Sequence, residues 1–125
     1  MTEPMRHSPP GARGRGLDHV VAAVADLEAA AETWERLGFH LTPTGRHPWG
    51  TENRLVQLDG SFVEILAVAD AEAIPEPSET TFSFGAWNRD FLARRGEGLS
   101  MLVLESVDPA ADRADFAGAG LRGYE

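Results

Sequence analysis

Two side chains stand out because their surroundings are apolar. His19 interrupts the run from Leu17 to Val24, and Glu64 interrupts the run from Phe62 to Val68. An unpaired polar group inside such a strand is costly. Each therefore needs a partner, either the other through a mutual hydrogen bond or a ligand contacted directly. A second concentration of chemistry lies in Gly45-Arg46-His47-Pro48-Trp49-Gly50-Thr51-Glu52-Asn53. Its glycines, hydrogen-bond donors and single indole suit a loop folding over a ligand. Trp49 could stack on an apolar body, while Arg46, His47, Thr51 and Asn53 could hold an oxygen-rich group. The alternative for His47 is an ordinary turn residue.

These residues must be positioned by elements that the pattern also predicts. Leu17 to Val24 reads as a mostly buried strand. Asp26 then offers an N-cap, and Leu27, Ala30, Ala31, Trp34 and Leu37 recur at helical spacing up to Gly38, where a helix C′ residue belongs. Trp34 is expected in the core. Phe39 to Thr42 reads as a short strand ended by Pro43 and Gly45. Arg54 to Leu58 and Phe62 to Val68 are two further strands joined by Asp59-Gly60, a hairpin signal. Alternation puts Leu17, His19 and Val21 on one strand face, and Phe62, Glu64 and Leu66 on one face of another. Phe84, Trp87, Phe91 and Leu92 suggest a short amphipathic helix serving packing rather than a pocket. Leu99 to Leu104 is a strand, and Asp108-Pro109 opens a last helix ending near Gly120.

Composition narrows the chemistry. The chain has 125 residues, 42% of them hydrophobic, and no cysteine. Disulfide frameworks, thiol catalysis and Cys-based zinc sites are excluded. All 11 basic residues are arginine, which removes lysine Schiff-base chemistry. A net charge of −9 argues against nucleic acid as a partner. Apolar runs are too short for a membrane helix and no leader pattern opens the chain. The expectation is a cytoplasmic protein with a small-molecule ligand, without nucleic acid or membrane as partner.

One unit is written twice. A shift of 82 positions aligns Gly16 with Gly98, Val21 with Val103, Asp26 with Asp108 and Gly38 with Gly120, an offset read directly from the chain. Strand core, helix cap and helix stop all match. The repeated unit, with Leu17-Asp18-His19-Val20-Val21, Asp26-Leu27, the Leu37-Gly38-Phe39 helix exit, the Gly45 to Asn53 segment and Phe62-Val63-Glu64-Ile65-Leu66, resembles the glyoxalase-like domains of the vicinal-oxygen-chelate superfamily. That resemblance implies an α+β fold of βαβββ modules. Residues 1–15 are then a disordered basic tail, 16–68 the first module, 69–97 an acidic linker with a short helix, and 98–125 an incomplete second module of strand and helix.

The resemblance also implies metal ligands: one side chain on the first strand and one carboxylate on the last strand of each module. In the first module these are His19 and Glu64, a pair that suits Zn, Fe, Mn or Ni. In the second, Met101 stands where His19 stands, and the partner carboxylate would fall beyond Glu125. Three readings follow. In the first, a metal chelates neighbouring substrate oxygens and Glu64 is the catalytic proton carrier of a lyase or isomerase. In the second, the same pocket binds and sequesters a small molecule without metal. In the third, the chain is a fragment, or a protomer whose homodimer completes a second sheet with an otherwise exposed edge.

Overall fold

The computed structural model describes residues 15–124. The tail expected over residues 1–15 lies almost wholly outside them. The elements are β1 (Leu17–Ala23), α1 (Leu27–Arg36), β2 (Gly45–Arg46), β3 (Thr51–Gln57), β4 (Phe62–Val68), α2 (Phe84–Arg95), β5 (Gly98–Leu104) and α3 (Pro109–Gly118), with a 3₁₀ turn at Ala71–Ala73. This is the α+β, βαβββ arrangement, followed by a helix, a strand and a helix.

The two halves of the repeat start and stop their helices in the same way. Asp26 accepts a hydrogen bond from the Ala29 amide at 3.1 Å, and Asp108 accepts one from Ala111 at 3.1 Å. Each cap satisfies a backbone donor that the first helical turn leaves free. Past the helices, Gly38 and Gly120 adopt φ of 98° and 83°.

The strands form one sheet in the order β2-β3-β4-β1-β5. β1 and β4 run parallel, with His19 opposite Phe62 and Val21 opposite Glu64. β3 and β4 are antiparallel, with Leu55 opposite Glu64 and Asn53 opposite Leu66. One sheet face carries Val56, Val63, Ile65 and Ala67, which cluster with Leu27 of α1 and pack beside Val20, Ala22 and the half-buried Trp34. The other face carries His19, Val21, Asn53, Glu64 and Leu66. α2 packs against β1, β4 and β5, and with it Val21, Ala23 and Leu66 are fully buried. His19 and Glu64 lie on the same face as these residues.

Three expectations are corrected. Phe39 to Thr42 is not a strand; only Leu41 forms an isolated bridge, to Val56. Side chains take the ladder's place there: Arg54 Nε donates to the Thr42 carbonyl at 2.8 Å, and the Thr42 hydroxyl accepts from the Leu55 amide at 2.8 Å. Pro43 next in line has no N–H to extend the pairing. Second, Gly45 to Asn53 is a tight β-hairpin, not a loop: Gly45 pairs with Asn53 and Arg46 with Glu52. Third, β5 starts no separate sheet. It joins the first as an outer strand, antiparallel to β1, because the edge of β1 away from β4 is open to it.

Gly50 closes the hairpin. Its φ is +89°, and its carbonyl accepts from the amides of Ala69 at 2.9 Å and Asp70 at 3.0 Å. A Cβ at this position would overlap the Asp70 carbonyl and stand 2.9 Å from Ile74 Cγ1. Gly60, at φ +78°, has no atom within 4 Å of such a Cβ. Gly50→Ala should therefore lower unfolding free energy in urea by roughly 1–3 kcal/mol, from backbone strain plus overlap. Gly60→Ala should cost less, from the strain alone.

Candidate functional site

The site is assembled from three adjacent strands. Parallel pairing of β1 with β4 brings His19 Nε2 to 3.5 Å from Glu64 Oε1. Antiparallel pairing of β3 with β4 brings Asn53 beside the same carboxylate, and its Nδ2 donates to Glu64 Oε2 at 2.8 Å. The His19 ring stacks on Phe62, with centroids 4.4 Å apart and planes 8° from parallel. Glu64 is only 8% exposed. One of its oxygens is thus held by an amide, while the other faces an imidazole at a distance too long for a good hydrogen bond.

The hairpin adds a second arm. His47 Nδ1 lies 2.7 Å from the Thr51 hydroxyl, and its Nε2 lies 3.5 Å from Asn53 Nδ2. The short contact to the Thr51 hydroxyl, which can donate or accept, fixes the orientation of the ring. The His47 ring stacks on Trp49 at 4.7 Å and meets Phe84 of α2 edge-on at 6.4 Å. Phe84, assigned by spacing to packing, therefore also borders this edge of the site. Trp49 is 43% exposed and forms the rim.

The structure brings together His19, Glu64, Asn53 and His47. It does not bring Arg46 with them: Arg46 pairs across the hairpin with Glu52, at 3.6 Å, on the face opposite Asn53. Thr51 is fully buried and acts by holding His47. Sequence reasoning passed over Asp18, whose Oδ2 sits 2.6 Å from His19 Nδ1. Strict alternation assigns neighbours to opposite faces, and the signal that corrects it is a bulge visible only in the strand pairing.

A divalent ion of the kind the fold family implies would take His19 Nε2 and Glu64 Oε1. Among the described residues no group of three His, Cys, Asp or Glu is placed to hold a metal. The residue matching His19 in the repeat is Met101, whose thioether is a poor donor for a hard cation. These residues alone do not fit a resident divalent ion.

Gly45 leaves the space that the Asn53 amide uses. A Cβ there would stand 2.8 Å from Asn53 Oδ1. Gly45→Ala should push the amide off Glu64. The expected readout is a shift of the Asn53 side-chain N–H₂ resonances in a ¹H–¹⁵N spectrum, with the β1–β5 amides unmoved.

The geometry can be set beside known proteins. Residues 17–124 match the glyoxalase-like domain family. No curated protein matches the sequence. Among solved structures, methylmalonyl-CoA epimerase from Mycobacterium tuberculosis is similar at 27% identity and a TM-score of 0.65, over 88% of this chain and 68% of that one. A variant of methylmalonyl-CoA epimerase from Streptomyces coelicolor, in complex with 2-nitronate-propionyl-CoA, is 26% identical with a TM-score of 0.57, over 85% of this chain and 72% of that one. A hypothetical protein from Bacillus halodurans shares the fold at 19% identity and a TM-score of 0.63, over 86% of this chain and 70% of that one. With the family matched over nearly all of the described residues, the chain belongs to the glyoxalase-like domain family of the vicinal-oxygen-chelate fold.

Proposed function

We propose that this protein processes a small carbonyl compound by moving a proton at the carbon beside the carbonyl, in the manner of an isomerase. The observation that carries the reading is Glu64: a carboxylate 8% exposed among apolar strands, with Oε2 held by Asn53 and Oε1 facing His19. A base in such surroundings is poorly hydrated and held at a defined angle. The similarity to methylmalonyl-CoA epimerases supports the same class of substrate, a carbon acid activated by a thioester.

In this reading the substrate lies on the sheet face that carries Glu64. The C–H bond breaks, its proton passes to Glu64 Oε1, and the electron pair delocalises onto the carbonyl oxygen. His19 Nε2 then accepts the proton from Glu64 and exchanges it with solvent; return of a proton by the same path gives exchange, and protonation of the enolate from solvent on its other face gives the isomer. The Asn53 amide keeps the carboxylate turned toward the substrate. Trp49, stacked on His47, supplies an apolar rim for the rest of the molecule.

A second reading, binding without turnover, draws on that aromatic rim and on the short donor set for a metal. The two separate in one experiment. Methylmalonyl-CoA in D₂O is followed by ¹H NMR for loss of its α-proton signal. The wild-type chain should catalyse exchange, and Glu64→Gln should slow it by about 10²-fold or more. Quenching of Trp49 fluorescence without exchange would support sequestration instead. Exchange that appears only with added Zn²⁺ or Mn²⁺ would overturn the claim that Glu64 and His19 suffice.

A further inference from the structure

We infer that Asp18 is a positioning residue: through a β-bulge, its carboxylate holds His19 in the tautomer that turns an unprotonated Nε2 toward Glu64. The use made of that nitrogen rests on the proton-transfer reading above; the tautomer does not.

The bulge is explicit in the pairing. Leu17 lies opposite Leu104, and His19 lies opposite Val103, so two steps along β1 answer one step along β5. Asp18 is the extra residue. A bulge locally rotates the strand and re-aims a side chain. Here it allows neighbours in sequence, which a regular strand sends to opposite faces, to meet at 2.6 Å between Asp18 Oδ2 and His19 Nδ1. A carboxylate only accepts, so Nδ1 carries the hydrogen, and in the neutral ring Nε2 keeps its lone pair. Phe62 stacks against the ring and fixes its plane.

The consequence lies at the other nitrogen. Nε2 and Glu64 Oε1 stand 3.5 Å apart, and with the ring neutral in this tautomer both are acceptors. Two facing lone pairs are held there without a donor of their own, an arrangement suited to receiving a proton delivered from a ligand. Asp18 is 47% exposed at its side chain, so its role does not depend on burial.

The test uses the full chain labelled with ¹⁵N. Long-range ¹H–¹⁵N spectra at pH 9, where a histidine ring is neutral, report the tautomer, and His19→Gln identifies the signals by their loss. The wild type should show a protonated Nδ1 and an unprotonated Nε2. Asp18→Asn, near-isosteric and partly exposed, should shift the population toward Nε2–H while the urea unfolding midpoint stays close to wild type. An Nε2–H ring in the wild type, or an Asp18→Asn ring identical to it, would overturn the inference. In the exchange assay, Asp18→Asn should lower kcat on the order of 10- to 100-fold, the size seen when a metal-bound histidine loses its outer partner, with KM little changed. A wild-type chain with the expected tautomer and no exchange would reject the proton-transfer reading and leave the role of Asp18 intact.

Discussion

A carboxylate taken out of water governs the organisation of this fold. Glu64 sits in the middle of β4, among Val63, Ile65 and Leu66, all buried. Such a group is tolerated only when neighbouring strands bring it partners. β3 supplies the Asn53 amide, and β1 supplies His19. A slip of one residue in either register would send the partner to the α1 side of the sheet. The order β3-β4-β1 is therefore what makes a polar centre possible in an apolar sheet, and the rest of the molecule maintains that order.

The remaining elements serve it at a distance. α1 covers the opposite face, where Leu27 joins Val56, Val63, Ile65 and Ala67, so the registers on both sides of β4 are bound to a single core cluster. Gly50 ties the β2–β3 turn to the segment after β4 through the Ala69 and Asp70 amides. That tie sets the hairpin that carries His47 and Asn53. β5 occupies the remaining edge of β1 and, by its offset pairing, creates the bulge that turns Asp18 toward His19. Local devices of one residue each thus control a site built from distant parts of the chain.

Much of this was legible from residue types. The caps at Asp26 and Asp108, the Asp59-Gly60 turn and the glycine stops at Gly38 and Gly120 are short-range signals, and all five features occur at those positions. His19 and Glu64 were identifiable because a polar group inside an apolar strand has few explanations. The misreadings share one cause. Gly45 to Asn53 looks like a loop because its glycines and proline are turn formers, yet pairing across Gly50 makes it a hairpin. Pairing also sets Arg46 beside Glu52, on the face away from Asn53. Phe39 to Thr42 has strand-like residues, but the pairing stops after the Leu41 bridge and the Thr42 N–H to Leu55 carbonyl bond, where the Thr42 and Arg54 side chains take over.

The sequence by itself determined the family and the α+β module, because these rest on periodicity, caps and turns within a few residues of one another. It also determined which residues share a face in the regular strands β3 and β4. Tertiary pairing decided which faces meet and in what register: His19 with Glu64, Asn53 with the same carboxylate, His47 with Thr51. It likewise placed β5 in the first sheet and Asp18 against His19. The physical reason is that alternation repeats every two residues in any strand, whereas register and bulges come from long-range contacts that no local pattern contains.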